Sequence, residues 1–125
     1  MTAKQAAEAQ HALVVDDNPH AADVSRAILE AYGWTVDCAM DGFEAILRFR
    51  ARRYDLIVLD YCLPGMDGVD VLAWVRRNLA EGPRVVVVSA EEPDFLQKRF
   101  SGMGVEAFLP KPFQPSELFR VLKAA

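Results

Sequence analysis

Five side chains that could do chemistry follow short apolar runs of the sequence. Asp16 and Asp17 come directly after ALVV, and Asp60 comes directly after LIVL. Ser89 follows VVVV, and Lys111 lies two positions beyond AFL. If the runs are parallel strands of one sheet, their carboxyl ends share one edge, which is where such sheets bind ligands. The sequence therefore predicts a site that combines three carboxylates, a hydroxyl and an ammonium group.

This combination of groups fits phosphoryl transfer. Three neighbouring carboxylates repel one another, and proton uptake or a cation relieves that repulsion. Oxygen ligands without histidine or thiolate favour Mg²⁺. A lysine and a hydroxyl suit the oxygens of an arriving phosphoryl group, whose charge has to be neutralised. With Asp60 as the attacking group, the product is an aspartyl phosphate.

Each of these residues also has an ordinary structural explanation. Asp16 or Asp17 can help to open a helix, and Asp60 can be a turn residue ahead of a Pro-Gly pair. Ser89 can satisfy backbone groups of a loop, and Lys111, between two prolines, can be a solvated surface lysine. The functional interpretation depends on all five lying at the same edge of one sheet.

The elements that would position these side chains alternate along the whole chain. Runs such as LIVL and VVVV are apolar at consecutive positions, which is typical of parallel strands buried on both faces. The predicted strands are Ala12–Val15, Thr35–Ala39, Leu56–Leu59, Arg84–Val88 and Ala107–Leu109. Five strand–helix repeats predict a doubly wound α/β sandwich with right-handed crossovers.

The intervening segments carry helix-start signals followed by apolar residues at helical spacing. The predicted starts are Asn18-Pro19, Asp41-Gly42, Asp67-Gly68, Glu92-Pro93 and Pro115. For the first helix, the spacing predicts an inward face of Val24, Ala27, Ile28 and Ala31. The second helix has Phe43, Ile46 and Leu47 at the same spacing, followed by Arg50.

Composition restricts the possible classes of protein. The chain has 125 residues, which suits one domain, and its formal charge of −4 argues against direct nucleic-acid binding. We interpret its densest basic stretch, residues 48–53, as the solvated face of a helix. No apolar run approaches the ~20 residues that cross a bilayer, so no membrane insertion is expected. Two cysteines make no disulfide framework, which favours a cytoplasmic location.

Four motifs together give the chain a resemblance to the bacterial response-regulator receiver domains, the family of the chemotaxis regulators. They are LVVDDN at 13–18, LIVLDYCLPGMDG at 56–68, VVVVSAE at 85–91 and AFLPKPF at 107–113. The resemblance implies a (βα)5 fold with a five-stranded parallel sheet of order 2-1-3-4-5. It divides the chain into an N-terminal tail, residues 1–11, and a receiver domain, residues 12–125.

The resemblance also implies a role for each residue of the acidic cluster. Asp60 would be the phosphoacceptor and, with Asp17, a direct ligand of Mg²⁺. Asp16 would act mostly through bound water, and the backbone carbonyl of Cys62 would complete the protein ligands. The domain would promote its own phosphorylation and dephosphorylation without being an enzyme on an external substrate.

The remaining positions of the motifs imply a switch. Ser89 and Lys111 would bind the phosphoryl oxygens, and the Lys111–Pro112 bond would be cis. Phe108 would occupy the position of the switch aromatic residue, which rotates inward after Ser89 moves. The surface around the fourth helix, fifth strand and fifth helix would change as a result.

A histidine kinase or a histidine phosphotransfer protein would be the phosphoryl donor, and an output domain or protein would lie downstream. The donor would dock near the first helix, at Ala21, Ala22, Val24 and Ser25. Three alternatives stay open: a phosphotransferase of the haloacid dehalogenase type, a flavodoxin-like redox module and a degenerate receiver that only binds partners. The first of these would need a second aspartate at the position of Cys62.

Overall fold

The computed structural model describes residues 10–123, in which five strands and five helices alternate. The strands are β1 (His11–Val15), β2 (Thr35–Ala39), β3 (Leu56–Asp60), β4 (Arg84–Ser89) and β5 (Ala107–Pro110). The helices are α1 (Pro19–Ala31), α2 (Gly42–Ala51), α3 (Gly68–Asn78), α4 (Pro93–Arg99) and α5 (Pro115–Lys123). All strand pairs are parallel, and the order β2-β1-β3-β4-β5 confirms the predicted fold.

Alternate residues of the central strands face opposite sides of the sheet and build two cores. On β3, Ile57 and Leu59 pack into the core beneath α2, α3 and α4, whereas Leu56 and Val58 pack beneath α1 and α5. All four side chains are fully buried, and burial of each contributes about 1.5–3 kcal/mol. This double burial explains why the strand is apolar at consecutive positions.

Side-chain caps fix the start of the two helices nearest the carboxyl edge of β1 and β3. At α1, the Asn18 side chain accepts hydrogen bonds from the backbone N–H groups of His20 and Ala21. At α3, Asp67 and Asp70 form a reciprocal capping box. Each cap satisfies backbone donors that would otherwise lack partners and contributes about 1 kcal/mol. The loops after β1 and β3, which carry the carboxylates, therefore end where these caps begin the two helices.

The inward face of α1 differs from the prediction. Ile28 is buried as expected, but Val24 is 40% exposed. The residues of α1 that are buried are Ala22, Ser25, Ile28 and Leu29. Small residues near the start of α1 allow the helix to lie close to the sheet, and hydropathy alone does not rank Ser25 or Ala22 above Val24.

The inward face of α2 is also different from the predicted one. Gly42, Ala45 and Phe49 are buried, whereas Phe43 and Leu47 are 59% and 64% exposed. A Cβ at position 42 would lie within 3 Å of Met66 and Val71 side-chain atoms, so the close packing of α2 against its neighbours needs a small residue. The helix is rotated to meet that requirement, which leaves large apolar side chains outside.

The first strand begins one residue earlier than the sequence predicts. His11 is the first residue of β1, and the carbonyl oxygen of Gln10 accepts a hydrogen bond from Thr35. Residues 1–9 of the predicted tail lie outside the described residues. Among residues 10–123, we find no helix with the length and apolar character that a bilayer crossing requires.

Candidate functional site

The three predicted carboxylates converge at the carboxyl edge of the sheet. Asp16 and Asp17 follow β1, and Asp60 is the last residue of β3, its neighbour in the sheet. One carboxylate oxygen from each of the three lies within 4.8 Å of the others. Asp16 and Asp60 are buried, at 1% and 6% exposure, while Asp17 is exposed. The cluster is thus anchored in the protein and open to solvent on one side.

Lys111 joins this cluster from the far edge of the sheet. Its Nζ donates hydrogen bonds to Asp16 Oδ2 at 2.6 Å and to Asp60 Oδ2 at 2.8 Å. Its backbone N–H bonds to the carbonyl oxygen of Ser89 at 3.0 Å, which ties the segment after β5 to the end of β4. The Lys111–Pro112 bond is cis, as the resemblance implied.

Backbone donors hold the other oxygen of each buried carboxylate. The N–H of Asn18 donates to Asp16 Oδ1 at 3.0 Å, and the N–H of Cys62 donates to Asp60 Oδ1 at 3.1 Å. Each carboxylate therefore has one oxygen held by the backbone and one bound to the lysine. Such charge-assisted bonds fix both side chains in orientation.

Burial and the ion pairs set the charges of these groups. Burial raises the pKa of Asp60, and the hydrogen bond and charge of Lys111 act in the opposite direction. Burial would lower the pKa of Lys111, but its hydrogen bonds to Asp16 and Asp60 outweigh this effect and raise that pKa. The lysine consequently stays protonated, and its positive charge compensates part of the acidic cluster.

Ser89 lies on the strand next to that of Asp60, and Phe108 lies on the strand beyond it. Ser89 is the last residue of β4 and is buried, and the register pairs the preceding residue, Val88, with Asp60. The Ser89 hydroxyl oxygen accepts a hydrogen bond from the Glu91 N–H at 3.2 Å. Phe108, on β5, is half-buried, and its ring centroid lies 6.0 Å from that of Phe100.

The Cys62 side chain points to a partner other than the acidic cluster. Its Sγ lies 3.6 Å from Glu91 Oε1 and donates a hydrogen bond to it. Burial and the Glu91 hydrogen bond raise the pKa of the Cys62 thiol, which therefore stays protonated. A protonated thiol is a poor metal ligand. If Cys62 binds a metal ion, the ligand atom is therefore its backbone carbonyl oxygen.

Two further residues beside the site were not identified from the sequence. Tyr61 follows Asp60 directly, makes edge contacts with Phe95 and Phe100, and accepts a hydrogen bond from Arg99 Nε at 3.3 Å. In the sequence, Tyr61 is recognisable only as an aromatic residue directly after the phosphoacceptor candidate. The residues that its side chain contacts lie more than 30 positions further along the chain.

Gly68 is the second of these residues. Its N–H donates to the Tyr61 carbonyl oxygen at 2.8 Å, and a Cβ there would lie 2.6 Å from the Asp60 carbonyl oxygen. Only glycine lets the start of α3 approach the end of β3 this closely. The Asp67-Gly68 pair indicated a helix start, but the sequence does not reveal this approach.

This arrangement can hold a metal ion and receive a negatively charged group. Three carboxylates supply hard oxygen donors of the kind that divalent cations such as Mg²⁺ take. The lysine lies on one side of the same carboxylates, where it can neutralise added negative charge. The donor set of the site therefore fits a cation held by Asp16, Asp17 and Asp60.

Comparison with known proteins agrees with this geometry. The chain is 33% identical over 115 residues to the DNA-binding response regulator MtrA of Mycolicibacterium smegmatis, covering 92% of this chain and 50% of that protein. The chain thus spans about half the length of the curated relatives that it matches.

Solved structures superpose over almost the whole chain. A CheY-like receiver domain protein from Methanospirillum hungatei has a TM-score of 0.85 and 25% identity, covering 93% of this chain and 92% of that one. The CheX–CheY–BeF3–Mg²⁺ complex from Borrelia burgdorferi contains a chain with a TM-score of 0.84 and 25% identity, covering 92% and 87%.

A family model decides against two of the three alternatives that the sequence left open. The response regulator receiver domain model matches residues 12–123, whereas haloacid dehalogenases and flavodoxins are different families. The match contains both the acidic cluster and the lysine that contacts it. The chain therefore belongs to the response regulator receiver domains of two-component signalling systems.

Proposed function

We propose that Asp60 is the phosphoacceptor of this receiver and that the receiver unit comprises residues 12–125. The observation that carries the proposal is the position of the buried Asp60 carboxylate, which lies beside Asp16 and Asp17 and accepts a hydrogen bond from Lys111. A side chain held at both oxygens is oriented for attack without first losing conformational freedom. A phosphohistidine of a histidine kinase or of a phosphotransfer protein is the donor.

The reaction moves one phosphoryl group between two side chains. An Asp60 carboxylate oxygen forms a bond to phosphorus while the P–N bond to the donor imidazole breaks. The imidazole nitrogen keeps the electron pair and is protonated, and Asp60 becomes an aspartyl phosphate. Catalysis consists of positioning and of neutralising charge on the equatorial oxygens. The domain promotes this step and the later hydrolysis on itself and turns over no external substrate.

Mg²⁺ is the cation that we assign to the acidic cluster. Asp17 and Asp60 would bind it directly, Asp16 mostly through water, and the Cys62 carbonyl would complete the protein ligands. When bound, the ion neutralises charge on the transferring phosphoryl oxygens. The Borrelia burgdorferi complex contains Mg²⁺ and BeF3, and this supports the assignment.

Lys111 and Ser89 would recognise the added phosphoryl group. Phosphorylation adds roughly −1.5 to −2 charges at Asp60, so the Lys111 ammonium gains a stronger partner than either carboxylate. The Ser89 hydroxyl, which now accepts from Glu91, would donate to a phosphoryl oxygen. Two charge-assisted contacts supply roughly 3–6 kcal/mol, compared with the about 5.5 kcal/mol that a nearly complete switch requires.

Phe108 would transmit the change to the surface. Movement of Ser89 frees space beside β5, and the half-buried ring of Phe108 rotates into it. The centroid of this ring lies 6.0 Å from that of Phe100, which is the C-cap residue of α4. The surface formed by α4, β5 and α5 would then differ between the two states and act as the output.

The partners and the location follow from this role. The relatives are about twice as long as this chain, so a downstream output domain or protein is proposed, with no direct nucleic-acid contact from this domain. Of the four α1 positions predicted to dock the donor, Val24 is 40% exposed, whereas Ala22 and Ser25 are buried. We propose that the domain acts in the cytoplasm and does not insert into a membrane.

Intact-mass spectrometry with acetyl phosphate and Mg²⁺ tests the proposal. We expect one added phosphoryl group in the unmodified protein and none after Asp60→Asn. The exposed carboxylate variant Asp94→Asn is the matched control and should be phosphorylated normally. A phosphorylated species that survives Asp60→Asn, or no phosphorylation of the unmodified protein, would refute the assignment and would favour a degenerate receiver in the second case.

The switch has a separate test. Beryllofluoride with Mg²⁺ should move the backbone NMR resonances around Ser89 and Phe108. Unmoved resonances at both positions would contradict the switch.

A further inference from the structure

An exposed apolar row runs along the outer face of α2. Phe43 and Leu47 are four residues apart in α2, which places them on one face, and Met40 lies just before the helix. They are 42%, 59% and 64% exposed, and Phe43 and Leu47 are the most exposed of the large hydrophobic residues described. The Phe43 ring lies against Gly65, so the row continues to the loop after β3.

These side chains contribute little to the fold. The inner face of α2 is filled by Gly42, Ala45 and Phe49, which pack against the sheet and α3. Isolated exposed apolar residues are ordinary, but a contiguous row on one helix face marks an interaction surface. The row lies away from the Phe108 surface, and none of its residues contributes a side chain to the acidic cluster.

Several arginines lie close to the C-terminal end of the row. Six of the ten arginines in the chain lie in residues 48–53 and 76–77, near the ends of the adjacent helices α2 and α3, although the whole chain has a net charge of −4. Between these ends lies a cavity of about 330 Å³ whose lining includes Arg50, Arg52 and Arg53. Positive charge is therefore localised here against the overall acidity.

Some of these arginines are engaged inside the protein and some present their charge to solvent. Arg76 binds the backbone carbonyls of Met103 and Gly104, which is a structural role. Arg53 lies 3.7 Å from Glu81, but the two side chains are 74% and 83% exposed, so the pair is weak. Arg50 lies over the Trp74 ring with its centroid 6.0 Å away and is exposed.

We propose that the α2 surface, formed by Met40, Phe43, Leu47, Arg50 and Arg53, docks an acidic amphipathic helix of a partner protein. From Phe43 to Arg50, both in α2, the surface spans about 10 Å at 1.5 Å per residue, which is roughly two turns of a facing helix. Apolar side chains of the partner at helical spacing cover the row, and its acidic residues reach Arg50 and Arg53. A nucleic acid fits less well, because phosphates find no donors along the apolar row.

A designed peptide provides a direct probe of this surface. The peptide, of about 18 residues, carries leucines at spacings of three and four with glutamates elsewhere, and a second peptide carries lysines in place of the glutamates. Titration into the full chain, followed by backbone NMR, should move the resonances of residues 40–53 with the glutamate peptide only. Binding should weaken as the salt concentration rises.

Variants of the chain separate the two parts of the surface. Phe43→Ser with Leu47→Ser should weaken binding of the glutamate peptide at least about tenfold, and Arg50→Ala with Arg53→Ala should weaken it and reduce its salt dependence. Phe95→Ser removes an exposed aromatic residue on α4 and should leave the affinity for the glutamate peptide unchanged. Circular dichroism of each variant establishes that it is folded.

Several results would overturn the proposal. They are equal binding of the two peptides, shifts centred outside residues 40–53, or an unchanged affinity in the folded Phe43→Ser, Leu47→Ser variant. Tighter binding of a duplex oligonucleotide than of the peptide would identify a different class of partner. A dimer that light scattering detects, and that Leu47→Ser dissolves, would identify a second copy as the occupant.

Discussion

Lys111 brings one positive charge to two buried carboxylates. Asp16 and Asp60 have 2% and 8% of their side chains exposed, so neither is well solvated when ionised. Removing one partner of such a group leaves an uncompensated buried charge, which is more costly than the pair is favourable. The same lysine thus stabilises the fold in the absence of a cation and, in the proposed function, binds the phosphoryl group that Asp60 receives.

Lys111→Met should therefore destabilise the protein most when divalent cations are absent. With EDTA present, we expect a loss of about 3 kcal/mol in the free energy of unfolding, because the two carboxylates face each other without the ammonium group. Excess Mg²⁺ should recover part of this loss. Urea unfolding in the two buffers measures both values.

Lys98→Met, at an exposed position of α4, is the control and should change stability by less than about 0.5 kcal/mol. Equal losses in EDTA and in Mg²⁺ would mean that the lysine and the cation do not compensate the same charge.

At the level of helices and strands, the sequence predicted the elements well but two helix orientations poorly. The strands were recovered to within one residue, since consecutive apolar residues mark buried strands regardless of what packs on them. The inward faces of α1 and α2 depend instead on close approach at small residues such as Ala22 and Gly42. Hydropathy ranks large side chains first, and the contacts that require small ones come from elsewhere in the chain.

The candidate site was predictable for a related reason. Residues at the carboxyl ends of parallel strands share an edge by geometry, so Asp16, Asp60 and Lys111 could be placed together without coordinates. The sequence could not show that Lys111 bonds to both carboxylates, nor that Tyr61 contacts α4. These contacts depend on side-chain packing between segments that are far apart in the chain.

Tyr61 connects the strand that carries Asp60 to α4. Its ring makes edge contacts with Phe95 and Phe100, and Arg99 stacks near the ring while bonding its hydroxyl. Arg99 also pairs with Asp67 at the start of α3. The short helix α4 is thus held to the loop after β3 by aromatic and ionic contacts.

Tyr61→Leu should loosen α4 without unfolding the protein. Loss of the hydroxyl and of both edge contacts lowers the local opening free energy, and amide hydrogen exchange in residues 93–100 should accelerate about tenfold. Hydrogen-exchange mass spectrometry measures this, with the amides of α1 as the internal control. Acceleration of equal size in α1 and α4 would indicate a global loss of stability and not a local role for Tyr61.

The whole molecule depends on contacts at the edge of the sheet as well as on its two cores. Asp37, on the edge strand β2, accepts a hydrogen bond from the Tyr54 hydroxyl at 2.6 Å. This bond lowers the pKa of Asp37, while burial, followed by the same bond, raises the pKa of Tyr54. In the pH range where Asp37 titrates, the folded state therefore binds fewer protons at this carboxyl than the unfolded state does. The free energy of unfolding consequently rises with pH in that range.

Tyr54→Phe should reduce stability by about 1–2 kcal/mol at pH 7, since a hydrogen bond to a charged group is lost. The stabilisation is complete above the unfolded pKa of about 4 and disappears as the pH falls through the lower folded pKa. The difference between the two proteins should thus narrow below about pH 4, as measured by urea unfolding at a series of pH values. Tyr32→Phe is the matched control, and a gap that stays constant down to pH 3 would contradict the prediction.

The bond from Lys111 to Asp16 joins residues 95 positions apart in the chain. A ribosome that adds roughly 5–20 residues per second therefore releases the first aspartate some 5–20 s before the lysine. For the last 51 residues of that interval, both aspartates have been made but the lysine that compensates their charge has not. Cations of the surrounding solution compensate that charge instead until the last strand is translated and joins the sheet.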